Sequence, residues 1–331
     1  MKLKLLRERE ILKAIRKEFS DIPGDLILGI GDDASVIKTR EKYLILTKDL
    51  LIEDYHFIAS LHPPYFLGRK SLNVNLSDVA AMGGKPRYAL LGLAFPAKTK
   101  LRWLEEFFAG FKSAAEEWKV TLAGGDISQS AKVTVSVTVL GEGKTIIRRE
   151  GAKPGHLLFV SGTLGDSKQG LILLNKGFKL EDDELADPLL KAFLDPTPQV
   201  SLGQGLSRLK LPSAMIDISD GLSVDLMNLC QESGCGAEIE EASLPLSFEL
   251  CYWQRRPYDF ALHGGEDYQL LFSVPLEKLD SMAQLQKKYK ITCIGKMTGE
   301  KGISLVDKDG KTKPLEIKGF EHFGIRLPKL Q

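Results

Sequence analysis

Apolar residues recur at two spacings along the first half of the chain, which predicts a mixture of strands and helices. Residues 132–142 (KVTVSVTVLGE) alternate apolar and polar positions, the two-residue period of a strand with one buried face. Residues 99–120 place Leu101, Leu104 and Phe111 at helical spacing. Further strands are predicted at 42–49 and 88–95, with a helix at 64–82 between them.

The second half repeats this style after a stretch rich in glycine and charge. Residues 141–155 (GEGKTIIRREGAKPG) separate two apolar strands, so we place a domain boundary near Glu150, with one domain at 1–150 and a second at 151–331. Residues 1–20 have the pattern of an amphipathic helix. The later predicted elements are strands at 156–162, 214–219, 268–275 and 291–299 and helices at 167–176, 186–209, 220–234 and 276–289.

Composition and charge exclude several classes of partner. The 331 residues are 43% hydrophobic and 27% charged, the composition of a soluble globular protein. Lys and Arg number 45 against 44 Asp and Glu, so no net charge attracts nucleic acid or an anionic membrane. No apolar run approaches the roughly 20 residues of a membrane span, and the N-terminal charges exclude the apolar core of a signal peptide. We expect a cytoplasmic protein without nucleic-acid or membrane partners.

Aspartates stand at the ends of apolar segments and in turns that contain glycine or serine. They are Asp32 and Asp33 in GDD, Asp49 in LTKD, Asp78 in NLSDVAAMGG, Asp126 in AGGD, and Asp217 and Asp220 in IDISDG. Turns and helix caps account for isolated aspartates, whereas half-buried carboxylates need partners. Few basic residues lie nearby, and Mg²⁺ takes oxygen ligands while sharing its coordination with substrate phosphates. Metal-bridged phosphate chemistry and structural capping both remain open from this pattern.

A dinucleotide-binding loop is the main competing interpretation of residues 29–34 (GIGDDA). That loop requires a helix directly after its glycines. Residues 35–47 are too short and too rich in β-branched side chains to form a crossover helix before the next strand. The P-loop sequence is also absent. The pattern therefore disfavours both familiar nucleotide-binding loops.

Eight motifs, in order, resemble those of the thiamine-monophosphate kinase family. This family belongs to the superfamily of aminoimidazole ribonucleotide synthetase, selenophosphate synthetase and the hydrogenase maturation protein HypE. The motifs are GIGDDASVI, NVNLSDVAAMGGKP, GGD, GAKPG, SGTLGDS, IDISDGLSVDL, HGGEDYQLLF and KGFEHFG. One such motif would be a weak signal, but eight in order span nearly the whole chain.

The resemblance implies a fold and an activity. The fold is mixed α/β with two domains, like aminoimidazole ribonucleotide synthetase. Its N-terminal domain binds ATP and magnesium and pairs with a second copy into a β-barrel that spans the homodimer, and its C-terminal α/β domain closes the active site. The activity is transfer of the ATP γ-phosphoryl group to thiamine monophosphate, with several Mg²⁺ ions, giving thiamine diphosphate. Because the acceptor phosphate is already ionised near neutral pH, we expect no distinct general base.

The family's functional positions fall on residues of this chain motif by motif. Metal positions fall on Asp33, Thr47, Lys48, Asp49, Asp78, Asp126, Asp217 and Asp220. ATP positions fall on Gly125, Asp126, Arg149 and Ser219, with Phe108 a candidate for the adenine. Positions for thiamine monophosphate fall on His56, Glu266 and Phe320, the last suited to stacking on a ring of the substrate. Since neighbouring residues of an extended chain point to opposite faces, we assign Asp33 to the metals and Asp32 to a supporting or turn-forming role.

Three positions depart from the family's usual residues. Lys48 stands where a hydroxyl residue is usual, so only its main-chain carbonyl is suited to a metal. Ile127 replaces a common threonine and His263 a common serine. Two alternatives to the kinase remain open at this point: another ATP-using enzyme of the superfamily, and a non-catalytic nucleotide-binding paralogue in which Lys48 replaces a metal's charge.

Overall fold

A computed structural model describes residues 8–19 and 23–320. Residues 1–7 and 20 of the predicted N-terminal helix lie outside this range, as do residues 321–324 of the motif KGFEHFG. The first helix, α1, spans Glu8–Glu18. No helix among the described residues combines the length and hydropathy needed to cross a bilayer.

The first half contains a six-stranded sheet with two long helices. Its strands occur in the spatial order β1-β2-β3-β6-β4-β5, and only β4 and β5 pair in parallel. The strands are β1 (Leu26–Leu28), β2 (Ser35–Lys38), β3 (Tyr43–Ile52), β4 (Lys85–Phe95), β5 (Thr121–Gln129) and β6 (Thr134–Gly143). β2 and β3 form a hairpin, so a strand and not a helix follows the glycines of residues 29–34. This agrees with the sequence argument against a dinucleotide-binding loop.

Helices α2 (Pro64–Ala81) and α3 (Leu101–Trp118) pack closely against each other. A Cβ added to Gly68 would lie 2.0 Å from the Phe107 carbonyl oxygen, and one added to Gly110 would lie 1.8 Å from that of Tyr65. Only glycine permits this approach of the two backbones. α2 also contacts β3, β6 and the second half of the chain, so even its polar side chains Asn73, Asn75 and Ser77 are buried.

The second half forms a seven-stranded sheet flanked by helices. Its order is β13-β12-β9-β11-β7-β10-β8, and β9 with β12 is its parallel pair. The strands are β7 (Leu157–Ser161), β8 (Ala214–Ile218), β9 (Gly236–Glu240), β10 (Gln269–Val274), β11 (Ile291–Thr298), β12 (Ile303–Val306) and β13 (Thr312–Pro314). The helices are α4 (Asp166–Asn175), α5 (Asp187–Leu194), α6 (Val200–Leu209), α7 (Leu222–Ser233), α8 (Phe248–Trp253), α9 (Pro257–His263) and α10 (Leu279–Gln286), with short 3₁₀ helices at Glu241–Ser243 and Leu276–Lys278.

The prediction of one helix at 186–209 is wrong, because the structure has two helices there, α5 and α6. Pro196 and Pro198 fall between them. Proline cannot donate its backbone nitrogen and disfavours a helical conformation in the residue before it. The chain therefore leaves α5 at Asp195 and re-enters a helix at Val200.

One of the three hydrophobic clusters among the described residues joins the two halves. Val79 and Val139 of the first half belong to the same buried cluster as Leu206 and Phe272 of the second. Helix α2 lies at this junction, in contact with α6 and β8. The core fixes how the two sheets approach each other, so functional groups from both halves are held at the junction.

Candidate active site

Three aspartates from distant parts of the chain meet at the junction, two of them buried and Asp78 half-buried. Asp33 lies in the turn before β2, Asp78 in the last turn of α2, and Asp217 near the end of β8. One carboxylate oxygen from each lies within 4.8 Å of the other two. Asp33 Oδ2 is buried and accepts no hydrogen bond from the described residues. Three carboxylates that share one small volume are suited to a hard divalent cation.

Two hydroxyl groups hold this acidic cluster, which we define as Asp33, Asp78 and Asp217. Ser77 Oγ donates to Asp217 Oδ2 at 2.7 Å, and the Thr47 hydroxyl donates to Asp78. Thr47 therefore reaches the cluster from β3 with its side chain on the face that α2 covers. Two residues along the same strand, Asp49 takes the same face, and its backbone N–H donates to Asn75 Oδ1 at 3.1 Å.

Asp32 and Asp33 occupy different surroundings. Arg149 donates through Nη2 and Nε to Asp33 Oδ1, at 2.6 and 3.2 Å. Asp32 instead accepts the backbone N–H of Arg149 at 3.1 Å and that of Asp33 at 2.9 Å. Asp32 thus ties the segment between β6 and β7 to the turn, while Asp33 faces the cluster and a fixed cation.

Burial makes the carboxylates of this region hard to ionise. It raises the pKa of Asp217 well above its ordinary value, and the charge of Asp33 adds to the effect. Burial and then the charges of Asp49, Asp217 and Asp33 raise the pKa of Asp78. Burial also raises the pKa of Asp49 to about 6, and burial with the Asp33 charge raises the pKa of Asp32 to about 7. A bound cation would remove this opposition to charge.

The turn after β8 presents Ser219 and Asp220 beside the cluster. The backbone N–H groups of Ser219, Asp220 and Gly221 all donate to one oxygen of Asp225, each at 3.1 Å. Asp225 is 2% exposed and lies in the first turn of α7. Its carboxylate therefore fixes the backbone of the whole turn, a role that sequence reasoning missed although Asp225 stands in the motif IDISDGLSVDL.

The three residues matched to the thiamine-phosphate position surround the same turn. The rings of His56 and Phe320 lie 6.1 Å apart, centroid to centroid, although 264 positions separate them in the chain. The Phe320 backbone N–H donates to the Asp220 carbonyl at 3.2 Å, and that of Glu266 donates to the Ser219 carbonyl at 2.7 Å. His56 Nδ1 accepts the Ile52 N–H at 3.0 Å, which places the proton of the neutral ring on Nε2.

Lys48 and Asp126 lie on the opposite face of the first sheet from the cluster. Lys48 Nζ lies 2.5 Å from Ser136 Oγ, so the Lys48 side chain does not reach the cluster. Of the predicted metal position, only a main-chain carbonyl ligand at Lys48 remains compatible with this geometry. Asp126 pairs in register with Gly92, and Gly92 faces Ser136 on this same outer side. Ser128 Oγ donates a hydrogen bond to Asp126 Oδ2 at 3.2 Å. Among the residues that the structure describes, Asp126 therefore lies apart from Asp33, Asp78 and Asp217.

The expected turn at Gly125 and Asp126 is wrong, because both residues lie inside strand β5. A Cβ on Gly125 would lie 1.8 Å from the Leu91 carbonyl oxygen, so the glycine serves close pairing of two strands. Phe108 is also separate from the cluster. It lies on α3, 36% exposed, with its ring edge-on to that of Phe107.

Two further residues near Glu266 escaped sequence reasoning. Lys70 is 1% exposed and contacts Glu266 from α2. Tyr268 is buried with a φ of 48°, an unfavourable conformation for an aromatic residue that the surrounding structure must hold in place. The sequence gives one signal for Lys70, namely a basic residue in helix α2, most of whose residues are buried.

Comparisons with known proteins agree with the motif order. The family described as "AIR synthase related protein, N-terminal domain" matches residues 31–142, and its counterpart "AIR synthase related protein, C-terminal domain" matches residues 153–308. The thiamine-monophosphate kinase of Aquifex aeolicus (strain VF5) is 38% identical over 328 residues, 98% of this chain and 100% of that protein. That of Buchnera aphidicola subsp. Acyrthosiphon pisum (strain APS) is 37% identical over 304 residues, 90% of this chain and 93% of that protein.

A solved structure extends the likeness to three dimensions. AaThiL complexed with AMPPCP and TMP shares 38% identity with this chain and has a TM-score of 0.87, and the match covers 97% of this chain and 99% of that one. These findings confirm the family and the mixed α/β, two-domain fold that the motifs predicted. The chain belongs to the thiamine-monophosphate kinase family, within the AIR-synthase-related proteins.

Proposed function

We propose that this protein transfers the γ-phosphoryl group of ATP to the phosphate of thiamine monophosphate, giving thiamine diphosphate and ADP. The observation that carries the proposal is the acidic cluster, whose oxygens lie within 4.8 Å of one another beside Arg149. Its chemistry suits the family's reaction, in which two phosphate-bearing substrates must approach against strong repulsion. The full-length likeness to thiamine-monophosphate kinases supports this substrate pair.

Mg²⁺ fits the cluster on three grounds. Every donor is a carboxylate oxygen, one of them is buried without a hydrogen bond from the described residues, and of the three carboxylates only that of Asp33 forms an ion pair with Arg149. We propose Asp33, Asp78 and Asp217 as the central ligands, with Thr47, Asp49 and Asp220 beside them. When bound, Mg²⁺ supplies charge neutralisation of the transferring phosphoryl group and its neighbours.

The protein's own groups orient the two substrates. Arg149 presents a planar guanidinium whose pKa is raised by the carboxylates of Asp33 and Asp32 against the effect of burial, so it stays charged near the phosphates of ATP. Ser219 lies on a turn made rigid by Asp225. His56, Phe320 and Glu266 form the proposed thiamine-phosphate position. No general base is proposed, because the acceptor oxygen is already ionised.

A second copy of the chain is proposed to complete the site. The outer face of the first sheet exposes three large apolar side chains, each 46 to 50% exposed: Leu50, Tyr88 and Leu90. β5 is an edge strand of this sheet, with exposed residues throughout. An apolar face with an open edge favours pairing between copies. We propose a homodimer whose two outer faces form one β-barrel, with Asp126 and Gly125 contributed across the interface.

Mixed dimers test this arrangement. Asp126→Asn and Asp217→Asn are each expected to be inactive alone. If Asp126 serves the partner's cluster, unfolding and refolding an equal mixture restores about a quarter of wild-type activity, because half of the dimers carry one intact site of two. An inactive mixture of refolded dimers contradicts the shared site.

The activity itself is tested with purified protein, ATP, Mg²⁺ and thiamine monophosphate, followed by chromatography for thiamine diphosphate. Thiamine diphosphate is expected to form only when ATP, Mg²⁺ and thiamine monophosphate are all present. ATP turnover without thiamine monophosphate would favour another enzyme of the superfamily. ATP binding that is indifferent to Mg²⁺, without turnover, would favour a non-catalytic paralogue.

The domain boundary near Glu150 remains part of the proposal. β6 ends at Gly143 and β7 begins at Leu157, and residues 144–156 between them form no helix or strand. Arg149 lies in this segment. We propose that the N-terminal domain, 1–150, supplies most metal ligands and the dimer contact, and that the C-terminal domain, 151–331, closes the site.

A further inference from the structure

Lys70 is a fully buried lysine at the junction of the two halves. Its side chain is 1% exposed, in the second turn of α2. A buried ammonium is unfavourable unless polar partners surround it. Burial accordingly lowers the pKa of Lys70, and the charge of Glu266 opposes that effect. The partners of this ammonium therefore indicate why the lysine is there.

The three N–H bonds of the ammonium have three partners. Nζ donates to the Phe193 carbonyl at 2.9 Å and to Glu266 Oε2 at 3.1 Å, and it lies 3.8 Å from the centre of the Phe193 ring. An ammonium has three donors and no acceptor, and a ring face attracts a cation. Lys70 is thus saturated by protein groups and is not placed to bind a substrate phosphate itself.

Glu266 is held by its backbone as well as by Lys70. Its φ is 57°, and its neighbour Gly265 has a φ of 72°. Its N–H donates to the Ser219 carbonyl at 2.7 Å. The Glu266 side chain is 28% exposed, whereas that of Lys70 is 1% exposed. One carboxylate oxygen is therefore fixed from the protein side while the group as a whole still opens to solvent.

We infer that Lys70 is a positioning residue that fixes the carboxylate of Glu266 for recognition of the thiamine moiety. This inference rests on the proposed function. Thiamine monophosphate carries a cationic thiazolium ring and an amino-substituted pyrimidine, and both are matched by an oriented anionic acceptor. Lys70 acts through Glu266, so its loss weakens binding of thiamine monophosphate and leaves ATP and the phosphoryl transfer step largely unaffected.

The test compares steady-state constants for Lys70→Met, Glu266→Gln and the double variant. For Lys70→Met we expect KM for thiamine monophosphate to rise about tenfold, with kcat and KM for ATP within about twofold, the pattern of lost substrate binding. In the Glu266→Gln background, Lys70→Met is expected to change KM by less than about twofold, since coupled residues are not additive. Lys70→Arg, which keeps the charge, is expected to restore part of the affinity.

Arg69→Met is the matched control. Arg69 precedes Lys70 on the same helix and pairs with Asp195 and Glu117 at 2.7 and 2.6 Å. Its loss is expected to lower the melting temperature without raising KM for thiamine monophosphate. If Lys70→Met is not recovered folded, Lys70→Gln replaces it, because an amide can still donate to the Phe193 carbonyl.

Two results would overturn the inference. One is an unchanged KM for thiamine monophosphate in a folded Lys70 variant of an active enzyme. The other is a full tenfold effect of Lys70→Met in the Glu266→Gln background, which would mean that Lys70 acts by another route. A wild-type protein that does not phosphorylate thiamine monophosphate would instead contradict the proposed function, so the two failures are distinguishable.

Discussion

Replacing Asp217 by asparagine is expected to stabilise the metal-free protein while abolishing its activity. Asp217 is 2% exposed and shares the acidic cluster with Asp33 and Asp78. Asparagine keeps the size of the side chain and retains an oxygen for the Ser77 hydroxyl, which donates to Asp217 Oδ2 at 2.7 Å. The substitution therefore removes one charge with little change of packing.

The size of the effect follows from the geometry. Two unit charges at the cluster's 4.8 Å limit repel by about 3.5 kcal/mol at an effective dielectric constant of about 20. Asp217 has two such neighbours, and its attraction to Arg149 offsets about one of them. Partial protonation of the cluster relieves some of the remainder, as the raised pKa of Asp217 indicates. We expect a net stabilisation of about 1 to 3 kcal/mol, or a rise in Tm of about 1.5 to 4.5 °C for a chain of 331 residues.

Thermal denaturation in EDTA and in Mg²⁺ measures this directly. At about pH 7.5 in EDTA, where carboxyl groups with ordinary pKa values are ionised, Asp217→Asn is expected to melt above the wild type. With Mg²⁺ the order reverses, because the wild type gains stability from a bound ion and the variant gains less. A variant that melts below the wild type in EDTA, or that gains as much from Mg²⁺, would refute the reasoning.

Three further predictions concern the same region. The metal-free protein is expected to lose stability as pH rises from about 4 to 7. The reason is that the raised pKa values of Asp49 (about 6) and Asp32 (about 7) make the folded state bind more protons than the unfolded state in this range. Equal melting temperatures across the range would contradict this prediction. Lys48→Thr is expected to leave the Mg²⁺-induced rise in Tm unchanged, since its side chain faces away from the cluster, and a clearly altered rise would place Lys48 beside the metal. Arg149→Lys is expected to raise KM for ATP about tenfold, because one ammonium cannot reproduce the two contacts to Asp33, and unchanged kinetics would remove Arg149 from the site.

The apolar pattern singled out the aspartates of the acidic cluster, but it left metal binding and structural capping open, and only the resemblance assigned them to metal positions. Asp78 stands within a helix that is otherwise buried, and Asp217 ends an apolar strand. Partners for such carboxylates had to come from elsewhere in the chain, and the structure brings them together with Asp33. The ring pair of His56 and Phe320 was predictable only from the resemblance, because no local pattern connects positions so far apart.

The location of Asp126 depended on strand register, which the local sequence does not encode. Two glycines before an aspartate are typical of a turn, yet the closeness of Gly125 to Leu91 shows that they serve strand pairing. The pairing of Asp126 with Gly92 then sets the side chain on the outer face. Lys70 was missed for a similar reason, since its hydrogen-bond partner Glu266 lies 196 positions away in the chain.

The break between α5 and α6 was predictable in principle. Pro196 and Pro198 are visible in the sequence, and each is incompatible with a helix interior. The apolar spacing on either side outweighed them in the prediction of one helix. The break matters for the site, because α5 ends beside Lys70, where the Phe193 carbonyl accepts its hydrogen bond.

Isotope transfer tests the central claim most directly. Protein incubated with γ-³²P-labelled ATP, Mg²⁺ and thiamine monophosphate is separated by chromatography after a single turnover. Direct transfer predicts that the label appears in thiamine diphosphate in equal amount to the ADP formed, and that Asp217→Asn yields none. Label recovered in free phosphate, or in thiamine diphosphate made equally well by Asp217→Asn, would contradict the account.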